Sequence, residues 1–375
     1  DITVERLTVD ALRLEEPLLG TPASLRATAE LAVRTDAVHL EFDIVRTDAV
    51  AGHANAVIGY DPATGSLDLH AELSEPRGGL AARLMNLRRL PAIELSLAGE
   101  GTAADWRGTV TLDAEELASL KSSAVVSIGG PEARLALEGT ARPGTDAGAD
   151  AIAVFGPETD FAVALARPQG ADKLILTVGR LRSAALDASG TAELAMSAGV
   201  IDSSVHIETR DTARIAPLFA PVKLAAAILS ARLSGPVAHP DIILEAVVDG
   251  PEVGTWSAKQ IDLDARLRPD GPISDAVNVA IDGGATLANF HGPATELNAV
   301  LGDSVTITVA QAGLRGRTQI DIGDATVAGS KIRGSLAGGI AIDTGRIAAR
   351  GTVEIDDLSP LSARAKRAVQ GRLQS

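Results

Sequence analysis

The sequence has no cysteine, and only five Phe, two Trp and one Tyr among its 375 residues. Without cysteine there is no disulfide framework, no thiolate nucleophile and no thiolate metal site. The lack also fits an oxidising compartment, where a stray thiol is a liability. With so few aromatic rings, a core built mainly from Phe, Tyr and Trp is excluded. A hydrophobic content of 46% nonetheless excludes a disordered chain. Positive charge is scarce: 34 Lys and Arg face 49 Asp and Glu, a net charge of -15. That balance argues against nucleic acid, whose phosphates need concentrated cations, and against attachment to an anionic membrane through a basic patch. Long apolar runs are missing too. The most apolar stretch, 215–233, is interrupted by Pro217, Pro221, Lys223 and Arg232, so no transmembrane helix is expected. The chain opens at Asp1 without Met and stops at Ser375 within a pattern, so it reads as an excised piece of something longer, and any membrane anchor would lie outside it.

Catalytic motifs are equally lacking. The six histidines (His39, His53, His70, His206, His239 and His291) include no i, i+4 pair of the kind that holds zinc on a helix. No Gly-x-Ser-x-Gly elbow and no P-loop occurs. Gly99-x-Gly101 is followed by a further strand rather than a helix, so it reads as a glycine turn. Asp262-x-Asp264 and Asp321-x-x-Asp324 suggest calcium, but Asp262 and Asp264 fall on the polar face of a strand and no dense Gly-Gly-x-Gly-x-Asp array occurs. No cofactor, metal or catalytic residue is expected, and the chain reads as a non-enzyme.

What is present is alternation. Leu40-Glu41-Phe42-Asp43-Ile44, Leu67-Asp68-Leu69-His70-Ala71-Glu72-Leu73, Ile93-Glu94-Leu95-Ser96-Leu97 and Ile261-Asp262-Leu263-Asp264-Ala265-Arg266-Leu267 each place apolar side chains two residues apart. Successive side chains on a strand point to opposite faces, so each run has one aliphatic and one wet face. Runs of this kind recur every 10 to 20 residues, separated by turns such as Asp61-Pro62-Ala63-Thr64-Gly65 and Arg268-Pro269-Asp270-Gly271. About twenty strands are too many for one sandwich, and no β-α-β alternation supports a parallel sheet. The expected fold is all-β with a few short helices: a long, strongly curved sheet forming an open apolar groove.

The register assigns an inward set. In the first half it comprises Leu40, Phe42, Ile44, Leu67, Leu69, Leu73, Ile93, Leu95, Leu97, Val110, Leu112, Leu135, Leu137, Phe161, Val163 and Leu165. In the second half it comprises Leu244, Ile261, Leu263, Val277, Val279, Ile281, Val305, Ile307 and Val309. Three stretches break the period of two and read as helices, at 79–90, 217–230 and 361–373. Asp211-x3-Ile215-x-Pro217-Leu218 and Asp357-Leu358-Ser359-Pro360-Leu361 open similar units, each closing on a small-Arg-Leu segment. This loose repeat divides the chain into two groove segments, 1–204 and 205–375.

The stretch from Gly79 through Leu80, Leu84, Leu87 and Leu90-Pro91 is followed by Ile93-Glu94-Leu95-Ser96-Leu97-x-Gly99-x-Gly101 and Asp105-Trp106-Arg107-Gly108. It resembles the TamB family, part of the AsmA-like group of bridge-like lipid transporters of Gram-negative envelopes. Asp211 to Gly235, and the opening Ile2-Thr3-Val4-Glu5-Arg6-Leu7, resemble other stretches of that family. The motifs that carry the likeness cover about 60 residues, and the family's membrane anchor and C-terminal domain are absent from the sequence. The resemblance implies an internal periplasmic segment, attached to the inner membrane by a part not included here. It also implies a taco-like sheet with an apolar concave face that holds phospholipids, and an outer-membrane β-barrel partner of the TamA type. Other readings stay open: a periplasmic chaperone that binds nascent outer-membrane strands by augmentation, an adhesin-like solenoid with a closed core, and an enzyme on a β-helix.

Overall fold

A computed structural model of the chain describes residues 2–14, 22–85, 87, 89–272, 277–316, 318–341, 346–357, 359 and 373–374. The chain divides into two compact units, Asp1–Ala184 and Ala185–Ser375.

The first unit is an antiparallel meander. Its strands are β1 (Ile2–Leu14), β2 (Ala23–Val33), β3 (Val38–Arg46), β4 (Gly52–Asp61), β5 (Ser66–Glu75), β6 (Ile93–Thr102), β7 (Asp105–Ala114), β8 (Ala118–Ser127), β9 (Glu132–Pro143), β10 (Thr159–Pro168) and β11 (Lys173–Arg182). Each pairs with the next. Helix α1 (Leu80–Leu84) joins β5 to β6, and α2 (Ala149–Phe155) joins β9 to β10. Connections in a meander alternate between the two rims. Helices four strands apart therefore fall on the same rim, and the other rim carries short turns.

The second unit repeats the plan with β12 (Leu186–Ala195), β13 (Val200–Thr209), β14 (Ala226–Pro236), β15 (Asp241–Asp249), β18 (Gln260–Pro269), β19 (Asn278–Ala288), β20 (Ser304–Arg315), β21 (Gln319–Ala328), β22 (Ile332–Ala341) and β23 (Arg346–Ile355). These again pair in chain order. Its elaborated rim carries α3 (Thr212–Phe219) between β13 and β14, and a small hairpin, β16 (Glu252–Val253) with β17 (Trp256–Ser257), between β15 and β18. It also carries α4 (Thr295–Leu301) between β19 and β20.

Several expectations need correction. The boundary at 204/205 falls inside β13, because the helix taken to open a new unit is a crossover between paired strands. The helix expected at 79–90 spans only Leu80–Leu84, since Arg89 and Leu90 adopt positive φ and the chain has left the helical path by then. The helix expected at 217–230 lies earlier. Asp211 caps it by accepting the Ala213 N–H at 3.1 Å, and the chain from Ala226 onward is strand. The run Leu229-Ser230-Ala231-Arg232-Leu233 keeps a period of two, and that pattern outweighs the helix propensity of its alanines. Apart from Leu373, which pairs with Ile355, the helix expected at 361–373 lies outside the described residues. No helix among the described residues is long and apolar enough to cross a membrane.

Candidate functional site: an aliphatic sheet face

Directly paired residues of antiparallel strands share a face, so the ladders decide which side chains lie together. One row of the first unit runs Leu31, Leu40, Ile58, Leu69, Gly99, Gly108, Ala124, Leu137, Val163. The row beside it carries Phe42, Leu97, Val110 and Phe161, and the flanking rows carry Ile44, Leu73, Leu95 and Leu112 on one side and Leu67, Leu135 and Leu165 on the other. Ile93, opposite Glu75, completes the set, so all sixteen positions assigned inward in this half share one face. In the second unit Leu244, Ile261, Leu263, Val279, Ile281, Val305, Ile307 and Val309 do the same. Val277 does not: it precedes β19 in a turn, where its N–H donates to Asp270, so the strand begins one residue later than expected.

Strand β1 shows how the register is kept. Its apolar residues Ile2, Val4, Leu7, Val9 and Leu12 are spaced two, three, two and three apart, which would send alternate pairs to opposite faces. Register shifts between Val4 and Leu7 and between Val9 and Leu12 absorb the extra residues. All five therefore stay beside Val33, Leu31, Ala29, Ala27 and Leu25 on the aliphatic face.

This face has no second layer of equal extent. Among the described residues fourteen hydrophobic side chains are buried, and seven of them are alanine, too few and too small for a sandwich core. Phe42 remains 38% exposed and Leu135 37%, while Ile2 on the outermost strand reaches 65%. Cover is local and sits at the elaborated rim: Ala82 of α1 packs with Ile93 and Ala114, against Leu73 and Leu112. Two charged residues interrupt the face at that rim, both buried and both structural. Arg46 pairs with Asp48 at 2.8 Å, and Glu75 accepts the Ala81 N–H at 2.6 Å.

The Asp105-Trp106-Arg107-Gly108 turn has a mechanical reason. Asp105 and Arg107 pair on the polar face at 3.0 Å. Trp106 points to the aliphatic face, where it is 2% exposed, and its ring lies over Gly99 and Gly108. A methyl group at either glycine would overlap the indole. Glycines weaken a strand, and the ring restores the apolar surface they lack.

The opposite face carries the charge. Arg232 pairs with Asp202, Arg266 with Asp241, Arg268 with Asp282 and Arg180 with Glu138, all at 2.7–3.1 Å and all exposed. Such pairs add little stability, and they keep this side wet. His53, His70 and His206 each lie beside one carboxylate, and no group of three or more metal-ligating side chains occurs among the described residues. A cavity of about 550 Å³ lies over β5–β8, with Glu72, Glu94, Thr111, Asp113 and Lys121 in its walls. Those side chains belong to the polar face, although Leu73, Leu95, Leu112 and Leu120 of the aliphatic rows also border the cavity.

No family model matches this chain, and no curated protein matches it at a significant level. Sequence reasoning missed α2 and α4. Gly148 and Gly156 bracket α2, and Gly302 follows α4, which was the available signal.

Proposed function

We propose that the aliphatic sheet faces hold lipid acyl chains, and that the chain is a non-enzymatic, TamB-like lipid-transport scaffold of the Gram-negative envelope. The observation that carries this reading is an aliphatic face kept in register over every strand pairing described in each unit, yet left partly exposed. A soluble chain gains nothing from that surface unless something apolar lies on it. Burying apolar area is worth about 25 cal/mol per Å², or ~0.8 kcal/mol per CH₂. A wall of Leu, Ile, Val and Ala offers tails that gain without fixed polar partners, so a tail can slide along it. In this reading phospholipids are the cargo, the location is the periplasm, an anchor outside this sequence ties the chain to the inner membrane, and a TamA-type barrel receives it at the outer membrane.

One observation favours a second reading, a chaperone for outer-membrane strands. Among the described residues β1 pairs only with β2, so its other edge can accept an added strand. Photo-crosslinkers placed at Leu95, Leu112 and Leu263 separate the two. The lipid reading predicts lipid adducts at all three, and peptide adducts there in place of lipid would overturn it.

A further inference from the structure

The eight aromatic residues are not scattered. Phe42, Tyr60, Trp106 and Phe161 lie on the aliphatic face of the first unit, and the other four lie in connections of the elaborated rims. Three of those four, Phe219, Trp256 and Phe290, are in the second unit. The backbone draws their connections together. Lys223 and Glu252 exchange hydrogen bonds of 2.9 and 2.8 Å, Val253 pairs with Trp256 across the two-residue Gly254-Thr255 turn, and Ser257 and His291 exchange bonds of 2.9 and 2.8 Å. In this small ladder Lys223, Glu252, Ser257 and His291 share one face, which leaves Val253 and Trp256 together on the other.

The hairpin is firmly seated. Pro251 and Ala258 at its base are buried and joined by a 3.0 Å hydrogen bond, and Gly250 donates to the Lys259 carbonyl at 2.8 Å. The Trp256 ring packs against Phe290 at a 37° tilt with centroids 5.3 Å apart, and a Cβ at Gly292 would come within 2.9 Å of the indole. The chain is thus shaped to hold this indole, yet Trp256 stays 41% exposed and Phe219, at the end of α3, 50% exposed.

We infer that this rim patch of the second unit seats on the surface of a zwitterionic phospholipid bilayer, with Trp256 as its anchor. Half-exposed Trp and Phe, with Lys223 on the other face of the small ladder and Lys259 at its base, is the chemistry of a bilayer interface, where rings sit at headgroup depth and lysines extend back to water. Lys223 and Lys259 are both exposed and flank the hairpin base, whereas protein–protein interface cores are poor in lysine. Glu252 and Asp249 balance their charge, so the patch has no net attraction for anionic lipid and its binding is insensitive to salt.

The test is flotation of the full chain with phosphatidylcholine vesicles at low and high salt. In the Trp106→Phe background, which leaves Trp256 as the only indole, fluorescence is followed with brominated phosphatidylcholine. The chain is expected to float equally at both salt concentrations, with Trp256 quenched by bromine. Trp256→Ser should lower the partition coefficient about tenfold, while Trp256→Phe keeps most of the binding. Phospholipid carried by the purified chain, measured in parallel, should not change in Trp256→Ser, which separates this surface from the aliphatic face. If Trp256→Ser does not fold, Phe219→Ser gives the same reading. Absence of flotation, an unquenched Trp256, or flotation unchanged by these substitutions would overturn the inference. So would concentration-dependent self-association relieved by Trp256→Ser, which would assign the patch to a second copy of the chain.

Discussion

Val110 and Thr109 are adjacent in β7, and the ladders put them on opposite sides of the sheet. Replacing each with glutamate isolates the role of the face from the role of the strand. Val110 lies between Leu97 and Ser122, half-buried on the aliphatic side, whereas Thr109 is exposed between Ala98 and Ser123. In the lipid-free protein both glutamates reach water, so both variants fold. When an acyl chain covers position 110, the carboxylate there must lose water or take up a proton. Protonation sets the ceiling on the cost: moving a glutamate from a pKa of about 4.3 to neutral pH requires ~3.7 kcal/mol. That is roughly a 500-fold loss of acyl affinity at this part of the wall. Arginine has no such escape by deprotonation, but its long chain can turn outward, so glutamate is the cleaner probe. The assay is phospholipid bound per purified chain, by phosphorus analysis and mass spectrometry, for the native protein, Val110→Glu and Thr109→Glu. Val110→Glu should lose most of the bound lipid and regain it as the pH falls towards 5, where the carboxyl takes up its proton. Thr109→Glu should match the native protein. Equal lipid in both variants, or equal loss in both, would refute the assignment of faces.

Other consequences are directly measurable. Trp106→Ala removes a buried ring resting on two glycines and should lower stability by about 3–5 kcal/mol in urea unfolding of the first unit, while Gly108→Val should be comparably harmful because of the overlap with the indole. Asp211→Ala removes the α3 cap and should cost about 1 kcal/mol, read as earlier loss of amide protection in α3 than in β13 or β14. The Thr64 hydroxyl lowers the Asp61 pKa, the Asn278 backbone N–H lowers that of Asp270, and the Lys331 ammonium lowers that of Asp357. A depressed folded pKa gives stability that is fully present above the unfolded value and lost as pH falls through the folded one. The urea midpoint should therefore be flat above about pH 5 and decline steadily below about pH 4.

Much of the sheet was legible because Leu, Ile and Val alternate with Asp, Glu and Ser in strands such as β5 and β18, where a one-residue slip would expose the entire apolar set. Strands whose inward positions mix Ala, Gly or Ser with larger side chains, such as Ala54 and Ala56 in β4 or Ser122 and Ala124 in β8, gave a weaker signal. β4 and β8 went unassigned although each sits between two well-marked neighbours, and pairing with those neighbours supplies what their own sequence lacks. The helix expected at 217–230 was misplaced because its alanine-rich segment satisfies helix propensity and strand pattern alike, and in α3 and β14 the ladder decides between them. The placement of the helices on one rim was not readable locally. It depends on the number of strands between crossovers: α1 and α2 fall on the same rim because four strands separate them. The Trp106 motif was recognisable as a pattern, but its purpose appears only when Gly99 and Gly108 are seen to face each other beneath the ring.

The most direct measurement is the lipid content of the purified, folded chain. Native mass spectrometry of the intact protein, followed by lipid extraction, is predicted to show phospholipids bound to the wild type and depleted in a variant carrying Val110→Glu together with Leu263→Glu. A folded wild-type chain free of phospholipid, even after incubation with vesicles, would contradict the account.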